Sequence, residues 1–195
     1  MEWTCRLFQL PLRFTGKKID EYFNTSGVIL ADVYLKPGEI FISDKPSVVK
    51  TVLGSCISVT MFNARLRIGS ICHGMLPECN EMNGSDCACL EGIRYVDCSI
   101  RKMLEALHSM GILNDEIKVK MFGGADMFKT ILGKPNTINV GEQNIKAAFK
   151  IMGDSNLKLE ASDIGGSSGR EIIFIPNTGE VFLKKLRRNE MEAPV

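Results

Sequence analysis

Two residues stand in contexts where nucleophilic chemistry is readable: the cysteine of Gly54-Ser55-Cys56 and the histidine of His73-Gly74-Met75. A thiol attacks a carbonyl carbon as its thiolate. It therefore needs a base that takes its proton and returns it to the leaving group, and donors that face the developing oxyanion. Cys56 fits the nucleophile and His73 the base, while Gly54 and Ser55 would supply backbone N–H support at a point where glycine lets the chain approach closely. The chemistry implied is cleavage of an amide or related acyl bond, and it calls for no cofactor and no metal. The chain has only two histidines. The other, His108, falls at the end of a helical segment, where an imidazole complements the last carbonyls.

These two side chains meet only if the elements carrying them are paired. Ile57, Val59 and Met61 alternate with Ser58, Thr60 and Phe62, the period of a strand with two unlike faces, and Ile68 to Leu76 reads as the return strand before Pro77. With a four-residue loop at 63 to 66, Cys56 would lie directly opposite His73, with Cβ atoms roughly 5 Å apart. The same register would gather Ile57, Cys72, Val59, Ser70, Met61 and Ile68 on the other face as core. A slip of one residue would separate the pair.

Elsewhere Ile40 to Ser43, Ser47 to Leu53 and Ile117 to Met121 read as strands, and Glu171 to Ile175 with Glu180 to Leu186 flank a Pro-Asn-Thr-Gly turn in a hairpin. Ile93, Val96, Ile100, Met103, Leu104 and Leu107 recur at helical spacing. Gly141 to Met152 is a second amphipathic helix, with Ile145, Ala148, Phe149 and Met152 expected inward. The fold class is α+β: a single-domain layered α/β sandwich with mostly antiparallel strands and two main helices. The expected organisation is an N-terminal extension over 1–35, one domain over 36–188 and a tail over 189–195.

Bulk composition excludes several classes. The 24 basic and 23 acidic side chains leave a net charge of +1, without the concentrated basic surface that phosphate neutralisation requires. Lys17-Lys18 and Lys184-Lys185-Leu186-Arg187-Arg188 read as solvated edges. No apolar run approaches the ~20 residues that span a bilayer, and the N-terminus lacks a signal-peptide pattern, so a soluble, cytoplasmic protein is expected. Seven cysteines are an odd number, which points to reduced thiols. Cys72, His73, Cys79, Cys87 and Cys89 crowd together, but the adjacent Cys-His would face opposite ways in a strand and Cys87-Ala-Cys89 has one spacer, unlike a zinc knuckle.

At these residues the sequence resembles the CheD family, chemoreceptor glutamine deamidases of bacterial and archaeal chemotaxis. The matching motifs are Leu53 to Cys56, His73-Gly74-Met75-Leu76-Pro77, Arg94 to Asp97, Gly123 to Phe128, Val140-Gly141 with Asn144, and Asp163 to Gly166 through Gly169-Arg170. The resemblance implies conversion of receptor glutamines to glutamates with release of ammonia, and binding to a CheC-type phosphatase. Receptors of the methyl-accepting type would be the substrates, met by peripheral association with the membrane. It also implies a third catalytic residue, a threonine usually six places before the cysteine. Lys50 holds that place here, and Thr51, one residue later, is the candidate that orients His73.

Two other readings share these residues. A catalytically silent module that docks on receptors and regulates the phosphatase would use a surface segment such as Ala125 to Phe128, with Phe128 as a partner contact. A thiol protease or transglutaminase would use the same dyad with a different acyl acceptor.

Overall fold

The computed structural model describes residues 2–5, 13–15, 31–79, 82–83, 86–87, 92–126 and 139–186. Two β-sheets and two helices build three layers. The five-stranded sheet contains β4 (Ile40–Ser43), β6 (Ile57–Asn63), β7 (Ile68–Cys72), β10 (Ile117–Gly123) and β11 (Leu159–Ile164), in the order β11-β10-β6-β7-β4. The six-stranded sheet contains β1 (Glu2–Cys5), β2 (Arg13–Thr15), β3 (Ala31–Tyr34), β5 (Ser47–Leu53), β12 (Gly169–Ile175) and β13 (Glu180–Leu186), in the order β2-β1-β13-β12-β5-β3. β8 (Met82–Asn83) and β9 (Asp86–Cys87) pair as a separate two-stranded ribbon. Pairing is antiparallel except for β10 with β11 and β3 with β5, as the α+β class anticipates.

Alternation along β6 and β7 assigns each face a layer. Ile57, Val59, Met61, Ile68 and Cys72 point to helices α1 (Val96–Ser109) and α2 (Val140–Asp154), where they pack with Ile100, Met103, Leu107, Ala148 and Ile151. Ile71 and Phe122 point the other way, against Val49, Leu53, Ile172 and Phe174 of the six-stranded sheet. At ~25 cal/mol per Å² of apolar surface, two such interfaces are the main source of stability. No helix among the described residues is long and apolar enough to cross a membrane.

The hairpin register differs from the one expected. The loop runs over 64 to 67, pairing Asn63 with Ile68 and Met61 with Ser70, and the ladder ends with Ile57 opposite Gly74. Asn63 Oδ1 accepts the Leu66 N–H at 2.8 Å and Arg67 takes φ 52°, so a polar side chain and a left-handed residue close the turn later than composition suggested. Cys56 is therefore not directly opposite His73. Ser58 is, and Cys56 becomes the diagonal neighbour of His73. The displacement is two residues, an even number, so every side chain keeps its face.

Two further expectations change. β7 ends at Cys72 and continues to Leu76 only as isolated bridges. Phe149, expected inward on α2, is 46% exposed, and Gly141, Asn144, Ala147, Ala148, Ile151 and Met152 form the buried stripe.

Candidate active site

β5 leaves the six-stranded sheet at Leu53, turns through Gly54-Ser55, and enters the five-stranded sheet at Ile57. Cys56 stands at the end of this corner and packs at the edge of the apolar layer between the sheets. Each of three successive carbonyls in the corner has a partner. Gly54 O accepts from Ala125 N–H at 2.9 Å and Cys56 O from Gly124 N–H at 2.8 Å, while Ser55 O accepts from the Asn144 side chain at 3.0 Å. Gly123 explains why β10 ends on the first of a glycine pair. It sits at φ +109°, and a Cβ there would lie 2.2 Å from the Cys56 carbonyl oxygen, so the backbone itself presses against the Cys56 peptide.

A second ring of contacts supports this one. Gly165 N–H donates to Gly123 O at 2.9 Å and Asp126 N–H to Gly166 O at 2.8 Å. The loop carrying those glycines is pinned by Arg170, whose guanidinium reaches Asp163 Oδ1 at 2.8 Å, Gly165 O at 2.6 Å and Ser168 O at 3.0 Å. Both partners of this ion pair are buried, so removing Asp163 would leave the desolvated guanidinium without its carboxylate. The spaced glycines and Arg170, which looked like separate motifs in the sequence, are one brace around Cys56.

His73 lies on the face of the five-stranded sheet that looks toward the other sheet and is 2% exposed. Its N–H donates to Glu39 O and its carbonyl accepts from Gly38 N–H, fastening it to the turn after β3. Thr51 lies on the opposing sheet, fully buried between Val49 and Leu53, and its Oγ1 is 2.7 Å from His73 Nδ1. The same hydroxyl donates to Leu35 O at 2.8 Å. With its one hydrogen spent on a carbonyl, Thr51 accepts from Nδ1–H, and this network assigns the Nε2 lone pair as the free basic position of the ring. Lys50 points outward to a 3.0 Å ion pair with Asp32.

The electrostatics describe a neutral resting pair. Burial lowers the His73 pKa to about 4, against the raising effects of the Leu35 carbonyl and the Glu39 charge. Burial raises the Cys56 thiol, while its own backbone N–H pulls the other way. Such a pair suits general-base activation at the moment of attack rather than a standing thiolate–imidazolium ion pair.

Of the residues singled out in the sequence, Thr51 and His73 touch, Cys56 adjoins them on the same face, and Gly54 and Ser55 form the corner. Phe128 and Cys89 lie outside the described residues. Cys72 faces the helices, away from His73, and among the described residues no three His, Cys, Asp or Glu side chains converge as a metal site. His108 Nε2 is 2.6 Å from Asn114 Oδ1 at the exposed end of α1. Sequence reasoning assigned no role to Leu35, which acts through its carbonyl while its side chain carries no signal, and it met Asn144 only as a motif residue without a task.

The sequence matches the family described as CheD, chemotactic sensory transduction, over residues 75–185, more than half of the chain. It is 43% identical over 164 residues to a protein of Geobacter sulfurreducens named probable chemoreceptor glutamine deamidase CheD 2, covering 84% of this chain and 96% of the relative. Proteins named probable chemoreceptor glutamine deamidase CheD from Maridesulfovibrio salexigens and Methanococcus vannielii are 34% and 31% identical over 80% and 77% of this chain, each covered over 93% of its length.

Proposed function

This chain belongs to the CheD family, and from that premise we propose that it is a cytoplasmic glutamine deamidase of chemoreceptors in which Cys56 is the nucleophile, His73 the base and Thr51 the residue that orients His73. The observation that carries the reading is the buried Thr51–His73 hydrogen bond beside Cys56, which leaves Nε2 as the proton acceptor. His73 takes the thiol proton as Cys56 Sγ attacks the glutamine carboxamide carbon, and backbone N–H groups of the Gly54–Cys56 corner hold the oxyanion. Collapse breaks the C–N bond, with the proton passing from His73 to the leaving ammonia. Water, deprotonated by His73, then opens the thioester to glutamate and returns the thiol. Acid–base assistance of this kind contributes about 10²–10⁴-fold.

The test is mass spectrometry of receptor cytoplasmic helices incubated with the protein. A gain of roughly one dalton at particular glutamines, from –NH2 replaced by –OH, is expected with the wild type and not with Cys56→Ala. Unchanged masses on every receptor of the host would refute the activity.

Docking to a CheC-type phosphatase is proposed as a second role on the family resemblance and the segment running from Ala125 to Phe128. Binding by Cys56→Ala equal to wild type would separate this role from catalysis.

A further inference from the structure

We propose that Asn144 is a positioning residue that aims the Cys56 backbone N–H at the oxyanion of the deamidation reaction. The inference rests on the reading of Cys56 as nucleophile and adds a residue to it. In a planar trans peptide the carbonyl oxygen and the N–H point to opposite sides, so whatever holds the Ser55 oxygen also sets the direction of the Cys56 N–H. Of the three corner carbonyls, Gly54 and Cys56 are held by backbone donors, and Ser55 alone is held by a side chain, Asn144 Nδ2 at 3.0 Å.

The same Nδ2 also donates to Met75 O at 3.0 Å. One amide group thus ties the nucleophile's peptide to the strand end that carries His73, across the gap where the regular ladder stops at Ile57 and Gly74. Asn144 is fully buried on the face of α2 against the sheet, and two carbonyl acceptors settle which end of its amide points at them. The Cys56 N–H is given to no acceptor among the described residues. A donor held beside the nucleophile and otherwise unused is what an oxyanion site consists of.

Two reactions of the same thiol separate positioning from mere support. Deamidation develops an oxyanion, whereas alkylation of Cys56 by iodoacetamide is a displacement at carbon that develops none. In the full chain, kcat and KM on a receptor helix and the alkylation rate of the Cys56 peptide, read by mass spectrometry, would be measured for wild type, Asn144→Ala and Asn144→Ser. Thermal melts restrict the comparison to variants that are fully folded at the assay temperature, because an unfolded fraction would lose kcat while exposing its thiol to alkylation. The ratio of kcat to alkylation rate should fall on the order of 10²-fold, the usual effect of losing one oxyanion donor, with KM within about twofold. A ratio unchanged in both variants, whether because both rates persist or because they fall together, would overturn the proposal. Cys56→Ala is the control: if it deamidates, the reading of the site has failed, and if it is silent while the Asn144 variants keep their ratio, only this inference has failed.

Discussion

The two faces of the hairpin β6–β7 each carry a cysteine, and they are opposites. Cys72 looks toward the helices, is fully buried in aliphatic core, and has its thiol pushed up to about 12. Cys56 looks toward the second sheet, is only partly buried, and shares its face with Ser58, Thr60 and His73. One step of alternation separates Cys72 from His73. Burial among side chains that cannot hydrogen-bond makes the first thiol a packing group, and a face lined with polar groups makes the second available for chemistry.

The sharpest break between the two is reactivity. At pH 8 Cys56 should be alkylated many-fold faster than Cys72, since Cys56 is partly exposed while Cys72 is fully buried with its thiol pushed up to about 12. Peptide mapping after timed iodoacetamide pulses measures this, and equal rates would erase the distinction.

Thr51→Val, close to isosteric, should lower kcat on the order of 10²-fold with KM little changed. It leaves Nδ1–H and the Leu35 carbonyl without a partner, a burial penalty of about 1–3 kcal/mol. Thr51→Ser should recover most of both losses, and steady-state kinetics with thermal melts compare the three proteins.

The depressed His73 pKa gives a pH window. A histidine neutral in the fold at about 4 and ordinary near 6.5 when unfolded binds more protons in the unfolded chain between those values. Stability should therefore rise from pH 4 to 6.5, by on the order of 3 kcal/mol from this group, and stay level above. Denaturant melts of wild type and His73→Asn at several pH values check it, because only the wild type should carry this component.

Ser58→Ala should change least. The Ser58 hydroxyl lies buried opposite His73 with no partner among the described residues, so removing it should move stability by less than about 1 kcal/mol in either direction. A large loss in a melt would mean that the hydroxyl supports the ring.

Periodicity made the faces legible and turn chemistry hid the register. Ile57, Val59 and Met61 against Ser58 and Thr60 told which side was core, and a register displaced by two residues left that assignment intact while moving Ser58 into the place expected for Cys56. Thr51 was harder to judge because counting back from Cys56 crosses the Gly54-Ser55 corner, where the chain changes sheets. Alternation belongs to a single strand, and within β5 Thr51 shares the inward face of Val49 and Leu53. Strand β11 and the Asp163–Arg170 brace depend on contacts made far along the chain, which local patterning does not carry.

The most direct test of the account sets the two cysteines side by side: Cys56→Ala and Cys72→Ala assayed for ammonia release from receptor cytoplasmic helices, with melting temperatures in parallel. Cys56→Ala should be silent with an almost unchanged melt, and Cys72→Ala should keep its kcat while losing about 1 kcal/mol of stability. Activity retained in Cys56→Ala, or lost only in a folded Cys72→Ala, would contradict it.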